Sequence, residues 1–290
     1  MKASRDFSWL ASRAQRALSI MAISSLVSAF SVANAVLLEG CSSDASATSG
    51  QRVVLHTRLE LASDATQFTT AFGWNVTLTQ AVISGGPLYY FDGAPPLVMS
   101  EPSPNNWKLA QRLLGVSEAR AHPGHYATGN ALGQMLEAWS ANLFETPIQL
   151  ADGDGITGTY RSAALSFSAP PTGAAAAALG NHVAVVMGHA EMPGAEPRYF
   201  VANAGLAEIE KSVGAARVDG CEFEQFKVTG NGTVTLSVHP QVWFDLVDFG
   251  ELAPGSLAAP TEFAPNSQPR IAFTQGLAEL SAYSFSFQPE

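Results

Sequence analysis

The chain predicts a mainly β fold, a β-sandwich of antiparallel strands with a few short helices, on three observations. Beyond residue 50, β-branched and aromatic residues gather in short runs. Gly, Pro, Asn and Asp separate these runs at spacings of about eight to twelve residues, the rhythm of a sandwich. Stretches with helical periodicity are few.

The first strand is expected at Arg52–Leu61, where Val53, Leu55, Leu59 and Leu61 oppose Val54, His56, Arg58 and Glu60 with one break. Residues 75–84 alternate better, with Val76, Leu78 and Gln80 on one face and Thr77 and Thr79 on the other. Further strands are expected at 157–168 and 182–190. Those at 218–229 and 233–239 flank Gly230-Asn231-Gly232, which reads as a hairpin turn because Asn and Gly tolerate positive φ. Segments 241–247, 270–274 and 280–288 complete the set. Helical spacing marks 106–116 through Trp107, Ala110, Leu113 and Leu114, and 130–138 and 206–213 have room for two or three turns each. Residues 174–179 favour helix but lie between Pro170-Pro171 and Gly180, so they read as a short connector. That connector would be the boundary if there were two smaller sandwiches. Neither half alone offers a clean set of strands, so 52–290 is read as one domain.

The amino-terminal segment has a different character. Lys2, Arg5, Arg13 and Arg16 face only Asp6, and residues 17–38 carry no charge. A positive flank before a short apolar stretch and small residues is the layout of a secretory signal. The stretch is about long enough to span a bilayer, so an uncleaved anchor is the rival reading. Its serines and alanines and two cleavage points favour a signal over 1–40. One point is Ala33-Asn34-Ala35. The other, Leu38-Glu39-Gly40-Cys41, resembles the lipobox of bacterial lipoproteins, with Glu39 where a small residue is usual. The resemblance makes Cys41 the lipid-attachment residue and 41–51 a polar tether. Two lipid chains would hold the protein durably on a membrane. It implies a place in the cell envelope, in the periplasm or at the surface, or secretion if Cys41 carries no lipid.

Residues 41–290 carry 11 basic and 23 acidic side chains, a net charge of −12. Such a surface repels phosphate backbones and argues against nucleic acid as a partner. Cys41 and Cys221 are the only cysteines. Lipid on Cys41 leaves Cys221 alone, whereas cleavage after Ala35 leaves the two available for a disulfide; the readings exclude each other.

Gly153-Asp154-Gly155-Ile156-Thr157-Gly158 matches the spacing of a dinucleotide loop, but residues 159–167 read as strand where a helix is required, so it is a turn between strands. Its start, Asp152-Gly153-Asp154-Gly155, resembles a calcium loop, but Ala163 stands at the twelfth position. No G-x-S-x-G elbow occurs. Cys221 lies next to Glu222 and close to Glu224, which raise a thiol pKa and favour an inert cysteine. No catalytic residue is assigned. The aromatic groups at 88–91 and 242–245 suggest either a ligand platform or core packing, and strand spacing favours the core.

The sharpest local feature is His122-Pro123-Gly124-His125. Pro then Gly at the centre of a four-residue turn brings its ends within about 7 Å, so both imidazoles can approach one ion. Two histidines do not close a site, and His189 and His239 are the candidates to join them. His189 lies near Glu191 and Met192, and imidazole with thioether suits copper while imidazole with carboxylate suits zinc. His56 and His182 sit within strands. Trp74-Asn75-Val76-Thr77-Leu78-Thr79 and Gly155-Ile156-Thr157-Gly158-Thr159-Tyr160 resemble elements of bacterial surface lipoproteins with transthyretin-like or related sandwiches. Some relatives of that architecture accompany periplasmic copper handling, so the resemblance implies copper as a cofactor by analogy. Two functions stand: an envelope lipoprotein binding copper or zinc through His122 and His125, or an envelope interaction or ligand-binding module in which the histidines are incidental.

Overall fold

Along Arg52–Leu61 the side chains of Val53, Leu55, Thr57 and Leu59 are buried, and those between them face outward. The break in the sequence pattern is therefore Thr57, a polar residue on the inward face. In the computed structural model, which describes residues 50–63, 65–96 and 128–290, that dry face lines a closed barrel. In chain order the strands are β1 (Arg52–Leu61), β2 (Gln67–Thr69), β3 (Asn75–Gly85), β4 (Leu88–Phe91), β5 (Ala131–Met135), β6 (Trp139–Asn142), β7 (Ile148–Gln149), β8 (Gly153–Ile156), β9 (Gly158–Ser166), β10 (Ala184–Glu191), β11 (Arg198–Ala204), β12 (Arg217–Val228), β13 (Gly232–Val238), β14 (Thr261–Glu262) and β15 (Tyr283–Pro289). The helices are α1 (Ala176–Leu179), α2 (Leu206–Val213), α3 (Pro240–Phe244) and α4 (Gln268–Leu277).

The fold is mainly β, and it is more closed than a simple sandwich. The order β13-β15-β12-β9-β4-β5-β8-β1 returns to β13 through a parallel pairing of β1 with β13. A second sheet runs β14-β11-β10-β3-β2, with β6 paired to the far end of β3. Strands before and after the alanine-rich connector pair with one another: β9 with β12, β3 with β10 and β1 with β13. An eight-stranded barrel encloses a space just wide enough for side chains. Here Tyr90, Tyr160, Phe223 and Phe285 fill it, with ring centroids 5.5–6.2 Å apart.

The registers separate the barrel's two ends. Arg52 pairs with Ile156, Phe91 with Ser162 and Ala131, and Gly232 with Pro289, so Gly50, both flanks of segment 97–127 and the end of β15 share one end. Leu88 pairs with Met135 and Leu165, and Val238 with Tyr283, at the other end. Every connection to the second sheet leaves from that second end.

Four sequence expectations are corrected. Residues 241–247 and 270–274 were expected as strands, but residues 241–244 lie in α3, with 245–247 just beyond its end, and residues 270–274 lie in α4. Pro240 opens α3, and Ser267 caps α4, its hydroxyl accepting from Arg270 N, with Pro269 in the first turn. These helices bring Phe244 and Phe273 against Phe200 of β11 and the neighbouring Phe249 and Phe263, forming a second aromatic core. Residues 130–138 hold strand β5 instead of a helix, because β4 and β8 each need a partner there. Gly230-Asn231-Gly232 closes no hairpin, since β15 lies between β12 and β13, parallel to one and antiparallel to the other. None of the three residues has positive φ, and Asn231 Oδ1 instead accepts from Val54 N at 2.9 Å. The expected helix at 206–213 is α2, and the connector holds α1; the expected helix at 106–116 lies outside the described residues.

The glycine-rich motif at 153–158 is also corrected from a turn to a strand, β8, followed by a corner at Thr157. Its glycine has a packing reason. A Cβ on Gly155 would sit 2.6 Å from the Tyr160 hydroxyl and 2.7 Å from Leu55 Cδ1. That hydroxyl lies 2.9 Å from the Leu132 carbonyl and 3.0 Å from that of Ile156, anchoring the ring inside the barrel. Among the described residues no helix is long and apolar enough to cross a membrane. Gly155→Val is expected to lower stability by about 1–3 kcal/mol through overpacking, read as a reduced urea midpoint.

Candidate functional site

Strand β10 lies between β3 and β11 and alternates cleanly. Ala184, Val186, Gly188 and Ala190 are buried, Val185, Met187 and His189 are half-buried, and Glu191 is exposed. A β-bulge against β3 falls between Met187 and Gly188. Gly188 permits it, since a Cβ there would lie 2.4 Å from the Thr77 carbonyl oxygen. Bulges of this kind re-aim the side chains beside them. On the outer face, Met187 and His189 line one shallow recess with Thr79, Tyr199, Leu257 and Pro260. The His189 ring rests on Tyr199 at 5.5 Å, and its Nε2 is 3.7 Å from a Glu191 oxygen.

The other candidates lie elsewhere. His239 precedes α3, with Nε2 2.9 Å from the Ser284 hydroxyl, and burial pulls its pKa below the ordinary 6.5. Among the described residues, His189 and His239 share no bonding partner. His122, His125 and Cys41 fall outside the described residues. Among the described residues, no three His, Cys, Asp or Glu side chains are placed to hold a metal ion. Asp152, which opens the calcium-like sequence, accepts from His56 Nδ1 at 2.7 Å, while His56 Nε2 lies 2.9 Å from Glu290. The hydrogen bond to Asp152 raises the His56 pKa above 6.5. The two carboxylates occupy opposite edges of the ring, so this is a bridge between β1, the approach to β8 and the end of β15.

Cys221 is fully buried, and its thiol is pushed up to about 12. The expected direction holds with a different cause: burial acts first and Asp219 second, not Glu222 and Glu224. Burial likewise raises the phenols of Tyr90 and Tyr283, and that of Tyr160 to about 12. The aromatic runs at 88–91 and 242–245 are chiefly core: Leu88, Tyr90, Phe91, Trp243 and Phe244 are buried, while Tyr89 carries the Arg217 guanidinium 5.2 Å above its ring.

The strongest buried electrostatic feature is one that sequence reading missed. Arg270 of α4 holds both oxygens of Glu208 at 2.8 and 3.0 Å and also donates to Asn203 and the Phe263 carbonyl. Glu208 accepts from Gly205 N at 2.8 Å at the start of α2. Burial pushes the Glu208 carboxyl up, but Arg270 and the Gly205 N–H outweigh it and hold the pKa below the ordinary 4.5. The cluster ties α2 and α4 to β11, a structural role. Met187 was also missed, although it stands two residues from His189, the spacing that puts side chains on one strand face. The sequence reading paired His189 with Met192, which packs against the core instead.

Comparison with known protein families, with curated proteins and with solved structures finds no match to this chain.

Arg270→Ala is expected to cost about 2–3 kcal/mol, below the range for a fully enclosed pair because Glu208 keeps part of its surface in water. Because the Glu208 pKa is depressed in the fold, its contribution is complete above the ordinary 4.5 and is lost as pH falls through the folded value. Urea melts across pH should therefore show the gap between wild type and Arg270→Ala shrinking only in acid.

Proposed function

We propose that the protein is exported, held on the cell envelope by lipid on Cys41, and acts there as a non-catalytic interaction module for another envelope protein. The observation that carries this reading is the state of Cys221. Its thiol is buried, so once the domain has folded it offers no surface sulfur for Cys41 to pair with, which supports Cys41 as a lipid acceptor. The barrel's interior is packed with aromatic rings, which directs recognition to outer surfaces. The chain enters at Gly50, at the barrel end away from the connections to the second sheet.

The mature protein should begin at Cys41 with the mass of attached lipid, and Cys41→Ser should move it from the membrane fraction to the soluble one. An unmodified chain beginning at Val36 would overturn the lipid assignment.

A second reading, copper or zinc binding through His122 and His125, draws support from the point where the chain returns to the barrel. Asp92 accepts from Asn130 N at 2.6 Å and Asn130 Nδ2 at 2.9 Å, so in the sequence His122 and His125 come only a few residues before a fixed attachment. Under this reading the purified protein carries near-stoichiometric metal that His122→Ala with His125→Ala removes. Metal-free protein, or metal unchanged in the double variant, sinks it.

A further inference from the structure

We infer that Met187 and His189 form a site for a soft monovalent metal ion, Cu(I), on the outer face of the second sheet. The site is independent of Cys41 and of the histidine turn, and goes beyond the interaction reading.

Residues two apart on a strand share a face and stand about 6.5 Å apart. A flexible thioether and an imidazole at that separation can reach one ion from the same side. The structure places both side chains in one recess. The extra residue of the bulge, Thr79, lies on β3, and β10 keeps its alternation, so Met187 and His189 project from the same face of an unbroken strand. The ring of Tyr199 supports the imidazole from one side.

The donor chemistry selects the ion. A thioether is a soft ligand that favours Cu(I), and imidazole accepts copper readily. The other groups lining the recess are apolar or aromatic apart from the Thr79 hydroxyl, and Glu191 is the neighbouring carboxylate, 3.7 Å from His189 Nε2. A closed tetrahedral zinc site needs four strong donors. Two donors in a largely apolar recess suit the low coordination number of Cu(I) better. Leu257, 77% exposed at the rim, leaves the recess open to an arriving ion.

The test is anaerobic titration of the purified protein with Cu(I) against a chromophoric chelator. Met187→Leu keeps the bulk and His189→Phe keeps the ring contact with Tyr199, so each removes a donor with little loss of packing. Loss of a direct donor should weaken Cu(I) by at least the about tenfold that outer-shell changes cost, and the double variant should lose the site. In parallel, Ag(I) should shift the Met187 methyl and His189 ring resonances. Unchanged Cu(I) affinity in both variants, at retained melting temperature, overturns the inference. Cu(I) binding lost only in His122→Ala with His125→Ala also overturns it while leaving the turn reading intact. If a variant unfolds, the Ag(I) shifts in the wild type decide: their absence at Met187 and His189 overturns the site.

Discussion

Closure of the barrel by β15 is the constraint on which the rest of the structure depends. This strand lies parallel to β12 and antiparallel to β13, and it covers edges that would otherwise leave backbone donors and acceptors without partners. It also sends Tyr283 and Phe285 inward, where Phe285 stacks on Phe223 and meets Tyr90. Because β15 comes after every other barrel strand in the chain, closure depends on contacts distant in sequence. β1 pairs with β13 on one side and β8 on the other, so the first barrel strand also waits for late segments.

Closure also divides the molecule in space. Inside, aromatic rings occupy the volume, and burial keeps the tyrosine hydroxyls and the Cys221 thiol protonated. One end of the barrel receives the incoming chain and the flanks of segment 97–127; the other sends out every connection to the second sheet. The second sheet is steadied by the phenylalanine cluster beneath it and by Arg270, whose charge is shared among Glu208, Asn203 and a carbonyl. This ion pair, buried at Arg270 and part-exposed at Glu208, orients the elements it joins. The outer face of β10 is consequently a firm platform for Met187 and His189.

The limits of sequence reading follow from particular residues. Alternation in β1 and in the first half of β3 was visible because each has one wet and one dry face there, whereas residues 81–85 of β3 are buried on both faces. Segments 241–247 and 270–274 misled because short apolar runs fit strand and buried helix alike; the proline and serine at their starts carried the helix signal. Gly230-Asn231-Gly232 has the composition of a hairpin turn, but a strand some fifty residues later takes the place between its neighbours. Of the candidate site, His189 was legible as a lone imidazole. Its thioether companion was overlooked because a match to Met192 in the same short motif ignored which face each residue occupies.

By itself the sequence determined the mainly β class, several strand positions, helix α2 and the acidic surface, and it made the case for an export signal ending near Cys41. These rest on local pattern and composition, which need no knowledge of distant contacts. Only the tertiary structure decided that the sheet closes into a barrel, that Gly155 makes room for Tyr160, that Arg270 is buried against Glu208, and that Met187 and His189 face one recess. The barrel, the Arg270–Glu208 pair and the walls that Tyr199 and Leu257 give the recess depend on which residues far apart in the chain become neighbours, and chain closure, not local propensity, makes that choice.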